Sequence, residues 1–358
     1  MRVCIIGSGL TALTLAKALV NENIFVDIVF ANKNSTIDHS RTIGISKSNY
    51  DYFNKSIINI EKITWKLKKI EIYSENLKNE KILNFENNNQ LFSIMKNYDL
   101  YDILNKSLLK NKYYKKINYK KNNSIKYHNY NLVLNCELKN NFSKKYFSKK
   151  IEKTYNTTAY TTIINHETIS NKVAAQIFTK IGPLAFLPIS QNKTSIVYSV
   201  HNPKTFDKEK IIKLINKYNF KYKIKKIEKI EKSNLTSLIL RSYYHQNILA
   251  FGDLLHRIHP LAGQGFNMTI RDINLLLNII KKRIDLGLPI DSFVNNEFEK
   301  KAKHKNYIFS NGIDFIHEFF NFERKYNNGI LSNSVKFLGK NPSINKIFTK
   351  IADEGINF

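Results

Sequence analysis

Residues 2–30 run as an apolar strand, a glycine turn, a helix and a second strand, an order that few folds can accommodate. Arg2 to Ile6 is a short apolar run bounded by glycine, the pattern of a buried parallel strand. Leu13, Ala16, Leu19 and Val20 then recur on one face of a helix over 10–20, and 24–30 (IFVDIVF) is β-rich. Strand, turn, helix and strand in about 30 residues make a βαβ unit. Its turn reads Gly7-Ser8-Gly9-Leu10-Thr11-Ala12. Gly7 permits the tight bend, Gly9 lets the backbone approach a pyrophosphate, and Ala12 keeps helix and strand close. The free N–H groups from Ser8 to Leu10 lie at the positive end of the helix and suit phosphate. A plain βα turn in an unrelated α/β domain would share this pattern, so a second feature is needed. The acidic residue that should end the second strand and hold a ribose is absent. Its place falls on Phe30, followed by Ala31 and Asn32, while Asp27 comes too early and faces elsewhere. Either Asn32 or another group holds the ribose, or dinucleotide affinity is reduced.

The second feature is the stretch GDLLHRIHPLAGQGFNMTIRD at 252–272, entered from a strand over 248–251. Gly252 lets that strand end come close to a ligand, Asp253 offers a carboxylate to a polyol hydroxyl, and Pro260 fixes a rigid turn. Gly263, Gln264 and Gly265 open a helix whose first N–H groups suit the negative charge of a reduced flavin ring around N1 and the C2 carbonyl. Asn267 can bond the ring edge. From there Ile270, Ile273, Leu276, Leu277 and Ile280 recur at helical spacing. His256 and His259 stand three apart, but no carboxylate or cysteine cluster completes a metal site, so both read as structural or hydrogen-bonding residues, with proton relay open.

At 358 residues the chain can bury a large core in two or three domains. The two cysteines, Cys4 and Cys136, exclude a disulfide scaffold and fit a reducing cytoplasm. No secretory signal opens the chain, and no stretch approaches the roughly 20 apolar residues that span a bilayer. The net charge of +28 suggests nucleic acid, yet the lysines are scattered among Asn and Ile throughout, and no nucleic-acid module accompanies them. Pairs such as Lys115-Lys116 and Lys120-Lys121 read as solvated loops. The expectation is therefore no nucleic-acid partner, with attraction to anionic lipid left open. Further along, antiparallel strands are expected within 60–85, a helix over 98–109, a buried strand over 131–136, β-rich runs over 154–165 and 194–200 separated by the apolar GPLAFLPIS, and a mostly helical end over 293–358.

On these residues the chain resembles the FAD-dependent aromatic hydroxylases, and among them the ubiquinone-biosynthesis hydroxylases of the 2-polyprenylphenol and 2-octaprenyl-6-methoxyphenol type. HSRTIGIS at 39–46 is similar to the family's arginine-containing segment, which implies that Arg41 contacts FAD. FTKIGPLAFLPIS at 178–190 looks like part of the substrate-domain sheet, and GDLLHRIHPLAGQGFN follows the second flavin motif nearly residue for residue. One departure stands out. Where the family carries Asp-Gly after the third buried strand, NLVLNCELKNN has Glu137 and Leu138, which puts the adenosine half of the FAD site and pyridine-nucleotide use in question.

The implied fold is α/β. A Rossmann-like FAD/NAD(P)-binding domain occupies 1–285 discontinuously, an antiparallel substrate domain is inserted at about 60–95 and 150–235, and 286–358 form a C-terminal helical region. The implied activity is hydroxylation of a polyprenylated phenol by O2 through a flavin C4a-hydroperoxide, with NAD(P)H as electron donor. Gly7, Ser8, Gly9, Leu10 and Arg41 would hold the pyrophosphate region, Gly252 and Asp253 the ribityl chain, and Pro260, Gly263, Gln264, Gly265 and Asn267 the ring. No catalytic acid or base is assigned, because a phenol is already activated and needs mainly placement. A lipid substrate implies a cytoplasmic protein working at the inner face of the membrane or in a biosynthetic complex. The basic charge and the stretch Ile313, Ile316, Phe319 and Phe320 are consistent with that, although helix packing explains those apolar positions better. Three other readings remain: a flavin hydroxylase or reductase acting on another aromatic or isoprenoid compound, a scaffold that has lost FAD, and a basic nucleic-acid binder.

Overall fold

The computed structural model describes the chain except residues 31–39, 78–79, 119–125, 204–205, 260–262, 327–329 and 356–358. Asn32, Pro260 and the Lys120-Lys121 pair therefore lie outside the described residues.

The apolar run Arg2–Ile6 becomes the centre of a six-stranded sheet because its Val3, Cys4 and Ile5 are fully buried. Strand order is Tyr244–His245, Ile248–Ala250, Leu132–Asn135, Arg2–Ile6, Phe25–Phe30, Tyr114–Asn118. Pairing is parallel from Ile248–Ala250 onward, with Val3 opposite both Val26 and Leu132, and Ile248 opposite Val133. Such strands are covered on both faces, which is why they read as continuous apolar runs. Helices Leu10–Asn21, Asn97–Leu109 and Gln264–Asp285 supply the cover, and their buried Leu15, Leu104 and Ile273 join one core with the strands. Lys115 and Lys116 are not in a loop: they sit in the edge strand Tyr114–Asn118, with their side chains exposed. An edge strand tolerates such charge, and Lys116 Nζ rests 4.7 Å from the centre of the Phe30 ring.

The second sheet gathers Lys69–Ser74 and Glu80–Glu86 with strands from Lys150–His166 to His256–Arg257. Its pairing is antiparallel except where Val173–Phe178 runs parallel to Lys69–Ser74. The apolar segment 182–190, similar to the family's substrate-domain sheet, joins this sheet. It contains the strand Pro183–Pro188, paired on both sides. Helix Lys208–Tyr218 covers one face, burying Ile211, Ile215 and Tyr218 against Phe186, Ile196 and Tyr198. A small third sheet, Thr42–Ser46, Phe92–Lys96 and Thr64–Leu67, bridges the two larger ones, with Thr42 Oγ1 2.8 Å from Ser195 Oγ.

Three helices end the chain: Ser292–Tyr326, Ile330–Lys340 and Pro342–Glu354. On the first, Ile313 is buried and Phe320 stacks on Phe178 with ring centres 3.5 Å apart. These positions pack against the second sheet, whereas Ile316 is exposed.

Candidate functional site

The first strand ends at Ile6, and Gly7 turns the chain with φ +130°, a conformation L side chains rarely adopt. Its N–H donates to Val29 O at 2.9 Å, fixing the turn between the two strands. Gly9 caps the helix Leu10–Asn21, is exposed, and has open space where a side chain would stand. The residues from Ser8 to Leu10 therefore present a helix N-terminus to an unobstructed surface. One of its donors is already engaged: Ser8 N–H donates to the Glu137 carboxylate, and Glu137 Oε1 lies 3.2 Å from where a Gly7 Cβ would be.

The stretch after 252 closes onto this turn. Gly252 has φ +63°, and a Cβ there would stand 2.6 Å from Thr11 Cγ2. Only glycine allows strand end and helix start to come so close. Asp253 is exposed beside them. Burial, then the carboxylates of Glu137 and Asp253, push the Cys136 thiol up, so both acids face the same corner. The helix Gln264–Asp285 starts from Gly263, at φ +62°, whose missing side chain would lie 3.6 Å from the Gly44 backbone. Asn267 ties this corner together. Its Oδ1 accepts from Ser46 N–H at 2.9 Å and from Asn49 Nδ2 at 3.1 Å, while its Nδ2 donates to Gly44 O and Gly263 O. A fully buried amide with four partners is a brace. Its side chain is spent on the protein and its backbone N–H lies inside the helix, so the N–H groups left for a ligand are those from Gly263 to Phe266. Gln264 is likewise turned inward, its Nε2 donating to Ala352 O at 3.1 Å, and Gly265 has nothing nearer than 3.9 Å to a would-be Cβ.

Arg41 stands exposed at the entry to Thr42–Ser46, with its carbonyl accepting from Asn97 N–H. Asp27 is buried and spent on Tyr130 OH at 2.7 Å and Arg2 Nε at 3.3 Å, so it holds no ribose. Phe30 ends its strand half-buried.

The two histidines separate. His256 Nε2 is 2.5 Å from Asp272 Oδ2, and Asn306 Nδ2 donates to Asp272 Oδ1 at 3.1 Å, a buried link from the 252–258 segment through one helix to the next. His259 is 1 % exposed, and neither ring nitrogen has a partner among the described residues. Tyr155 meets it edge-on at 5.1 Å and His317 lies 4.2 Å away. Burial, and then His317, lower its pKa to about 3, so the ring is neutral.

Thr11, Gly44 and Asp272 lie within segments that the sequence marks, but their partners, Gly252, Gly263 and His256, become visible only in space. The end of the last helix is another such partner. Ser48 N–H donates to Asp353 Oδ1 at 2.8 Å, and Ser46 Oγ donates to Asp353 O at 2.9 Å.

The fold is that of the flavin-dependent monooxygenases. It overlays p-nitrophenol 4-monooxygenase from Pseudomonas putida DLL-E4 with a TM-score of 0.77, at 10% identity, over 99% of this chain and 98% of that one. It overlays HpxO of Klebsiella pneumoniae, solved with FAD and uric acid, with a TM-score of 0.75, again at 10% identity, over 99% and 97%. In sequence, residues 152–285 match the FAD binding domain family. Among curated proteins the chain is similar to 3-demethoxyubiquinol 3-hydroxylase of Escherichia coli (strain K12), 28% identical over 160 residues. It is similar also to ubiquinone biosynthesis monooxygenase COQ6 of Homo sapiens, 27% identical over 150 residues. The matches span 39% and 32% of those relatives' lengths and 41% and 31% of this chain.

Proposed function

We propose that this chain is a FAD-dependent monooxygenase that hydroxylates an electron-rich aromatic ring, a phenol bearing a polyprenyl tail in ubiquinone biosynthesis. The observation that carries the reading is the closure of two glycine-marked turns from opposite ends of the sequence, Gly252 on Thr11 and Gly263 on Gly44, around one corner. That corner fits FAD. The open surface over Gly9 suits a pyrophosphate at the helix N-terminus, with Ser8, Leu10 and the exposed Arg41 nearby in the reading. Asp253 accepts from polyol hydroxyls, and the backbone from Gly263 to Phe266 offers N–H groups to the ring. When bound, FAD reduced by NAD(P)H would activate O2, one atom of which enters the phenol while the other leaves as water. The protein's part is to bind, to orient the ring and to exclude water. In this reading 1–285 form the cofactor domain, the second sheet carries the substrate, 286–358 close the site, and NAD(P)H donates the electrons. The lipid tail then calls for work at the cytoplasmic face of a membrane.

The test is the absorption spectrum of the purified protein, taken after FAD is added and excess removed, followed by addition of NADH or NADPH and an alkylated phenol under air. Retained flavin bands that bleach with the nucleotide, with hydroxylated phenol formed, are the expected result. A protein that stays colourless sinks the reading. The competing reading, a scaffold without FAD, is favoured by the Glu137 carboxylate engaging Ser8 N–H and by Phe30 in place of an acid. The same colourless outcome would establish it. Flavin that is retained and bleaches without phenol oxidation would move the substrate to another aromatic or isoprenoid compound.

A further inference from the structure

The last helix, Pro342–Glu354, is mounted with its apolar side outward. Ile344, Ile347, Phe348 and Ile351 follow the i, i+3, i+4, i+7 spacing that normally faces a core. Ile347 is 57% exposed, Phe348 40% and Ile351 39%, and no residue of the helix is buried. The polar side faces the body instead: Asn345 Nδ2 donates to Asn84 O at 3.0 Å, and Asp353 accepts from Ser46 and Ser48. The helix is firmly begun, with the Asn341 side chain accepting from Ser343 and Ile344 N–H and Pro342 at its first turn. Immediately before it, Phe337 is 77% exposed. Lys340 ends the preceding helix, Lys350 borders the stripe and Lys346 stands further round the helix; all three are exposed and in no ion pair among the described residues. The two acids of the helix, Asp353 and Glu354, are confined to its final turn.

We infer that this helix is an interfacial anchor that lies in the headgroup region of a bilayer containing anionic lipid. The apolar stripe enters the acyl boundary and the lysines meet lipid phosphates. A second copy of the chain would bring the same three lysines onto themselves, so charge favours lipid over self-association. The inference rests on the proposed function for its purpose but not for its test. The end of the anchor is hydrogen-bonded to the flavin corner through Gln264 to Ala352 and Ser48 to Asp353, so docking would set that corner at the depth where a lipid-tailed phenol resides.

The experiment is co-sedimentation of the full flavin-incubated chain with phosphatidylglycerol–phosphatidylethanolamine vesicles and with pure phosphatidylcholine vesicles, alongside analytical ultracentrifugation without lipid. Wild type is expected to sediment with the anionic vesicles and to be released by salt. Ile347→Ser/Phe348→Ser should weaken that partition at least about ten-fold. Lys346→Gln/Lys350→Gln should weaken it roughly five-fold per lysine while leaving binding to phosphatidylcholine unchanged. Both variants alter outward side chains, so thermal unfolding should match wild type and identify any that misfold. Absence of wild-type binding at low salt overturns the inference, as does equal binding by a folded Ile347→Ser/Phe348→Ser protein. A dimer that the same substitutions disperse, without vesicle binding, overturns it in favour of a second copy. Vesicle binding by a protein that never hydroxylates a phenol would sink the proposed function and leave the anchor standing.

Discussion

Asn267 joins four backbone and side-chain groups from three elements with one buried amide. Asn267→Ala leaves those groups unsatisfied in a dry corner, and the expected cost is about 3 kcal/mol by denaturant unfolding. A change under about 0.5 kcal/mol would mean that water replaces the side chain freely. Glu137 acts through charge. Its carboxylate sits at the glycine turn and engages the Ser8 N–H that a pyrophosphate would use, so Glu137→Gln should tighten FAD binding roughly five-fold in a fluorescence titration. Weaker binding would indicate that the ionised carboxylate shapes the turn. His259 gives a pH signature. Its pKa falls from an ordinary 6.5 to about 3 in the folded chain, so below pH 6.5 the unfolded chain binds a proton that the folded one refuses. Stability from this residue is thus intact above pH 6.5 and is lost as pH falls toward 3, by a few kcal/mol in all. His259→Leu should remove up to one proton from the slope of stability against pH between those limits. An unchanged slope would show that the ring finds a proton partner in the fold.

At the scale of elements, spacing conveyed the strands and helices of the first sheet well, because a buried parallel strand and a one-sided helix each leave a period in the sequence. It misled at Lys115-Lys116, where an edge strand carries charge as a loop does. At 182–190 spacing alone left the apolar run unassigned, because prolines mark both ends of the strand Pro183–Pro188, and the resemblance placed it in the sheet. Helix Ile330–Lys340 illustrates a constraint that no period reveals. Gly339 lies within it because strand Glu80–Glu86 passes close: a Cβ there would stand 2.3 Å from Leu83 Cδ2 and 3.3 Å from Ile82 O. Gly339→Ala improves helix propensity by about 1 kcal/mol and crowds that strand at greater cost, so a net loss of about 1 kcal/mol is expected by thermal unfolding. A stabilised variant would show that Leu83 swings aside without penalty.

For the whole molecule, the two glycine-marked turns could be recognised separately in the sequence, but their meeting could not. It depends on a strand order in which Arg2–Ile6 pairs with Leu132–Asn135, and that strand in turn with Ile248–Ala250. The bonds of the last helix to Ser46, Ser48 and Gln264 were equally hidden, since contacts between chain ends leave no local pattern. The same strand order has a consequence during synthesis. The turn at Gly7 is synthesised well before the strand that flanks it on one side, from residue 132 onward, and before the glycine that closes on it, residue 252. A nascent chain therefore carries a half-built, strongly apolar sheet edge until residues past 263 have emerged, the state that chaperones recognise.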